Sequence, residues 1–149
     1  MTESRDGRTS AEGYAGDITA SEAWRLLAAD PAATLVDVRT APEWAYVGVP
    51  DLASIGKPVV RASWQTYPAM SFNASFEDDL VAAGVDRRAP VIFLCRSGAR
   101  SKAAAIAMTA RGFARCFNLA DGFEGPLDAA GHRGTAGGWQ AAGLPWRQS

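Results

Sequence analysis

The chain has 149 residues, 48% of them hydrophobic and 21% charged, and a formal net charge of −1. That composition suits one globular domain with a substantial core. A balance this close to neutral gives no general reason to expect nucleic acid or an anionic membrane surface as a partner, and no apolar run approaches the length of a bilayer span.

Residues 1–16 are polar and rich in glycine, serine and charge. They read as a disordered lead-in, with one folded domain over 17–149. They lack the apolar segment of a secretory signal, so the expected compartment is the cytoplasm. Asp17 to Glu22 offers N-cap residues before a short amphipathic helix, Ala23 to Ala29, which Asp30-Pro31 stops. Thr34 to Val38 is the first strand. Ala53 to Ala74 is long and aromatic; its Trp64-Gln65-Thr66-Tyr67-Pro68 is expected to wall a pocket, the alternative being a partner surface. Trp44, Trp64, Tyr67, Phe72 and Trp139 are by default assigned to the core or its rim. Phe76 to Ala83 is a helix ended by Gly84. Pro90 to Leu94 is a central buried strand, Ser101 to Ala110 a helix closed by Arg111-Gly112, and Phe113 to Leu119 the next strand. The chain from Gly122 is turn-rich, with a short helix from Thr135 or Gly137 to Ala142. Strands alternating with helices predict an α/β domain with a mostly parallel central sheet covered on both faces.

The most informative stretch is Val91-Ile92-Phe93-Leu94-Cys95-Arg96-Ser97-Gly98-Ala99-Arg100-Ser101. It puts a thiol at a strand end, facing a helix start, where open α/β folds carry reactive groups. The thiolate is the nucleophile, and an ordinary thiol is only slightly ionised at neutral pH. A helix N-terminus contributes about 0.3–1 kcal/mol toward an anion. Hydrogen bonds to a charged group contribute about 1.5–3 kcal/mol each, so several backbone N–H groups curled around the sulfur matter more. Gly98 permits that curl, and Arg96 and Arg100 add fixed positive charge. The competing reading is a core cysteine followed by a cationic turn. The coincidence of cysteine, glycine, two arginines and helix start favours the reactive site.

This loop resembles the active-site loop of rhodanese-like sulfurtransferases, approximately Cys-Arg-x-Gly-x-Arg/Thr-Ser. Cys95, Arg96, Gly98, Arg100 and Ser101 match it. Upstream, Leu35-Val36-Asp37-Val38-Arg39 and, after a spacer, Glu43-Trp44 resemble the family's Leu-Leu-Asp-Val-Arg and Glu-Tyr/Trp. Downstream, Phe117 to Phe123 resembles its Val-x-x-Leu-x-Gly-Gly strand. Gly137-Gly138-Trp139 with Ala142-Gly143-Leu144-Pro145 resembles its closing Gly-Trp-x-x-x-Gly-x-Pro. The likeness spans roughly residues 17 to 147. Two departures are the histidine-free Val47-Gly48-Val49-Pro50-Asp51-Leu52, where the family has Gly-His-Ile-x-Gly-Ala, and the long 53–74 segment.

The resemblance implies a single-domain thiosulfate sulfurtransferase. Cys95 would carry a persulfide between a small anionic, thiosulfate-like donor and an acceptor: a thiol, cyanide or a protein. The substrate-binding loop would be Arg96, Ser97, Gly98, Ala99, Arg100 and Ser101. Arg96 is expected to bind the donor's oxygens and Arg100 to stabilise the loop and the anionic sulfur. Asp37, with Arg39, is expected to orient the loop through Arg100, the alternative being a turn-capping aspartate. Glu43 is expected to be structural and paired with Arg39. No cofactor or metal is implied, and His132 stands alone as a histidine.

Three rival functions are a protein-specific sulfur carrier, a rhodanese-like binding module, and a cysteine phosphatase or arsenate reductase. Retained Cys95 and arginines weigh against the module. Cysteine phosphatases place five residues between cysteine and arginine, whereas here four separate Cys95 from Arg100. Cys116 is assigned to the core, the alternative being a resolving thiol. Glu124 and Asp128 make no case for a carboxylate pair.

Overall fold

The structure is a computed structural model that describes residues 13–148. Residues 1–12, most of the expected lead-in, lie outside the described residues. Gly13 to Gly16, expected with them, are tied to the domain: Tyr14 is buried, and Ala15 N–H donates to the Cys116 carbonyl at 2.8 Å.

In chain order the elements are β1 (Gly16–Ile18), α1 (Ala20–Ala29), β2 (Thr34–Asp37), α2 (Ala41–Tyr46), β3 (Val49–Pro50), a 3-10 turn (Ala53–Ile55), β4 (Val60–Arg61), β5 (Gln65–Thr66), β6 (Ser71–Phe72), α3 (Phe76–Ala82), β7 (Pro90–Leu94), α4 (Ala99–Ala110), β8 (Arg115–Leu119), α5 (Gly138–Ala141) and β9 (Trp146–Arg147). Five strands form one sheet in the order β1-β8-β7-β2-β4, every pair parallel. β3 with β9 and β5 with β6 are small antiparallel pairs.

The sheet is buried on both faces, as parallel sheets require. Val36, Phe93, Cys95 and Cys116 turn to one face, where α3 contributes Phe76 and Leu80 and α4 contributes Ala104, Ala105 and Met108. Leu35, Ile92, Leu94 and Leu119 turn to the other, against Ala23 and Leu27 of α1 and Trp139 of α5. The expected α/β architecture is therefore the observed one. Among the described residues, no helix is long and apolar enough to cross a membrane.

Local chemistry sets the element starts. Thr19 caps α1 reciprocally: its Oγ1 accepts from Glu22 N–H at 3.1 Å, and its own N–H donates to Glu22 Oε1 at 2.8 Å. α2 opens at Thr40 with Pro42 in its first turn, and Glu43 Oε1 accepts the Thr40 N–H at 3.1 Å. The aromatic segment hangs from the C-terminal end of β2 by Trp64 N–H to the Val38 carbonyl and Ser63 Oγ to the Arg39 carbonyl. Trp64 packs edge-on against Phe72 and Phe76. With Met108 these line a hollow of about 440 Å³ beside α3 and α4, while Tyr67 and Phe72 are exposed.

Candidate active site

Cys95 follows β7 directly, at the C-terminal edge of the sheet, and is 1% exposed. The loop turns at Gly98, whose φ of +112° lies in the left-handed region that disfavours side chains. A Cβ there would also run into the carbonyl oxygen of Ala120. The loop passes straight into α4, so the helix N-terminus faces the sulfur. Gly98 N–H donates to Cys95 Sγ at 3.1 Å and Ser101 N–H at 3.4 Å, with Ser101 Oγ at 3.2 Å. The two N–H groups favour negative charge on sulfur.

A strap after β8 closes the back of the loop. Phe123 N–H donates to the Cys95 carbonyl at 2.8 Å, and the Glu124 and Gly125 N–H groups both donate to the Arg96 carbonyl. Gly122 makes the strap possible, since its φ is +70° and a Cβ would lie 2.5 Å from the Cys95 and Arg96 oxygens. Trp139 pins the strap from below: its N–H donates to the Gly122 carbonyl at 2.9 Å, and its indole N–H to the Pro145 carbonyl at 2.7 Å. The Gly-Trp and Gly-x-Pro residues at the end of the chain thus hold the loop in shape from a distance.

The three arginines of the loop and its surroundings differ sharply. Arg100 is bound by both oxygens of Glu43, at 2.7 and 2.9 Å. Burial pushes the Glu43 carboxyl up, but the Arg100 hydrogen bond and the Thr40 N–H outweigh it and hold the group at about 2. Arg100 is correspondingly raised, first by its hydrogen bond to Glu43. Arg39 is fully buried and doubly bonded to Asp37, at 2.9 and 2.7 Å, with Nη2 also donating to the Gly48 carbonyl at 2.7 Å. Its guanidinium lies 4.4 Å from the centre of the Phe123 ring, against the strap. Arg96 is exposed, and among the described residues no hydrogen bond or ion pair engages its side chain.

Two expected pairings are therefore exchanged. Asp37 holds Arg39 rather than Arg100, and Glu43 holds Arg100 rather than Arg39. The reason is solvation: a guanidinium with no exposure needs a carboxylate equally buried, and only Asp37, two residues away at the strand end, meets that demand. Ser97 lies in the loop and Ala99 opens α4; both are exposed, and among the described residues their N–H groups do not reach Cys95 Sγ. Cys116 is no resolving thiol in this geometry. It pairs with Val91, four residues down β7 from Cys95, roughly 13 Å at strand rise and beyond disulfide reach.

Sequence reasoning missed Asn118. Its side chain is buried, with Oδ1 2.6 Å from Ser101 Oγ and Nδ2 donating to Asp17 Oδ1 at 3.1 Å. The signal was a polar residue two positions from Cys116 on a buried strand, an inward position that demands partners.

A cysteine at the end of the central strand of a parallel sheet, ringed by a short arginine-bearing loop and facing a helix start, defines a rhodanese-like domain. The family described as the STR4 middle domain matches residues 15–149, and the chain belongs to that rhodanese-like family. The crystal structure of Rv0390 from M. tuberculosis is similar at 51% identity and a TM-score of 0.83, covering 91% of this chain and 99% of that one. The solution structure of the 30 kDa polysulfide-sulfur transferase homodimer from Wolinella succinogenes is similar at 25% identity and a TM-score of 0.61, covering 89% and 78%. The uncharacterized protein RC0915 from Rickettsia conorii is 39% identical over 132 residues, 88% of this chain and 96% of that one.

Proposed function

We propose that this chain is a sulfurtransferase that carries sulfane sulfur as a Cys95 persulfide in the cytoplasm. The observation that carries the reading is the convergence of the Gly98 and Ser101 N–H groups on one buried sulfur at the start of α4. Likeness to a polysulfide-sulfur transferase supports it.

The Cys95 thiolate attacks the outer sulfur of thiosulfate. A new S–S bond forms, the old one breaks, and sulfite leaves with the bonding pair. An acceptor thiolate or cyanide then attacks the outer sulfur of the persulfide, and Cys95 leaves as thiolate. Arg96, exposed and unengaged among the described residues, is the group to bind the donor's anionic oxygens. Arg100 has its charge matched by Glu43 and acts on the loop. Ser97, Gly98, Ala99 and Ser101 supply the backbone around the bound sulfur.

Intact mass before and after thiosulfate tests this reading, beside Cys95→Ser and Arg96→Ala. The parent is expected to gain one sulfur and Cys95→Ser none. Arg96→Ala is expected to need roughly tenfold more thiosulfate, the loss of one charge-assisted contact. No gain on the parent from thiosulfate or polysulfide would overturn the proposal.

A further inference from the structure

The sulfur touches a polar chain that the transfer steps above do not use. Ser101 Oγ lies 3.2 Å from Cys95 Sγ and 2.6 Å from Asn118 Oδ1. A hydroxyl has one hydrogen, and an amide oxygen can only accept. The shorter contact therefore takes the hydrogen, and the Ser101 oxygen turns a lone pair toward the sulfur.

The amide is held in that orientation. Asn118 Nδ2 donates to Asp17 Oδ1 at 3.1 Å, and the same carboxylate oxygen accepts from Tyr14 OH at 2.7 Å. A reversed amide would set Oδ1 against a carboxylate. Ser101 and Asn118 are both buried, so water does not compete for the bond between them.

We infer that Asn118, held by Asp17, is a positioning residue that turns the Ser101 hydroxyl away from Cys95 and so restrains the unloaded thiolate. The bonds make this a latch on one chemical state. A Cys95 thiol can donate its S–H into the Ser101 lone pair. In a persulfide the inner sulfur is neutral and the charge sits on the outer atom, so the latch is again compatible. The thiolate alone needs the Ser101 hydrogen. It obtains it by rotation about the Cβ–Oγ bond, which leaves Asn118 Oδ1 without its donor. The latch therefore disfavours the free thiolate both as the attacking group in loading and as the leaving group in discharge, while the two sulfur states between those steps are unaffected. Its significance for sulfur transfer rests on the function proposed above, but its geometry does not.

The test is the rate of Cys95 alkylation by iodoacetamide at neutral pH, with no sulfur donor present. Asn118→Leu removes the acceptor, and Asp17→Ala, at an exposed position, lets the amide reverse. Each is made with Ser101 present and with Ser101→Ala. Both are expected to react roughly three- to tenfold faster than the parent, the gain of part of one charge-assisted hydrogen bond. That gain is expected to vanish in the Ser101→Ala background, which a general loosening of the fold would not reproduce. No acceleration, or acceleration that persists without Ser101, overturns the inference. If Asn118→Leu fails to fold, Asp17→Ala decides alone. Because the reagent is not a sulfur donor, a chain that never loads sulfur can still show the latch, and a chain that loads sulfur can still lack it.

Discussion

Cys95 and Cys116 share one face of the sheet and one apolar cluster, and each is almost fully buried. They differ in what the backbone aims at them. Cys95 stands past the last ladder bond of β7, where the Gly98 and Ser101 N–H groups are free to turn onto sulfur. Cys116 sits inside β8, where neighbouring N–H groups are spent on the ladder, and its sulfur lies 3.9 Å from the Phe113 carbonyl. Burial there pushes the thiol up to about 11, against a weaker hydrogen-bond contribution from Thr109. Burial is common to both thiols; the supply of donors at a strand end is what separates them.

The largest effect expected from this contrast is selective alkylation. At pH 7 a thiol titrating near 11 is ionised to roughly one part in ten thousand. Native protein treated with iodoacetamide should gain one adduct, on Cys95, and unfolded protein two. A native adduct on Cys116 would break the comparison. Gly98→Ala attacks the other side of it, the donor supply. The added Cβ meets the Ala120 carbonyl at a positive φ, a combined strain of about 3 kcal/mol. Urea unfolding should register that loss, and Cys95 alkylation should slow because the Gly98 N–H is displaced. Full reactivity in Gly98→Ala would show that the loop donors are not what distinguishes the two thiols.

A smaller effect is expected at Glu43, which holds the far end of the same loop through Arg100. Glu43→Gln should lower stability by about 1 kcal/mol, since the pair is partly exposed and screened. The pH dependence carries the sign. The carboxyl is depressed from 4.5 to about 2 in the folded chain. Its contribution is therefore complete above 4.5 and fades as pH falls through about 2. The stability gap between parent and Glu43→Gln should be constant near neutrality and close in acid. A gap that stays open at pH 2 would assign the loss to packing rather than to charge.

How far the sequence reveals this molecule depends on how local each feature is. β7 is read at its observed bounds because both its faces are buried, which leaves an unbroken apolar run between Pro90 and Cys95. α4 starts at Ala99 rather than at the expected Ser101, since the turn at Gly98 feeds the helix directly. β8 starts at Arg115 rather than Phe113, whose N–H is still closing α4 onto Met108. β1 and α2 were not foreseen. Three residues of edge strand carry no alternation, and six of helix are too few for a period. In the candidate site, the cysteine loop was legible because its chemistry lies in consecutive residues. The partners of Asp37, Glu43 and Asn118 were not, because each choice depends on burial that only the assembled sheet defines.

The smallest effect sharpens the comparison from the inert side. Cys116→Ala removes one buried group of about methyl size and leaves a small void under α4. It should cost about 1–2 kcal/mol in unfolding. The Cys95 loop lies four residues further along the neighbouring strand and shares no hydrogen bond with Cys116. Sulfur loading and Cys95 alkylation in Cys116→Ala should therefore match the parent within error. Loss of either would mean that Cys116 supports the reactive thiol through the shared apolar cluster, and the two cysteines would then have to be treated as one site rather than two.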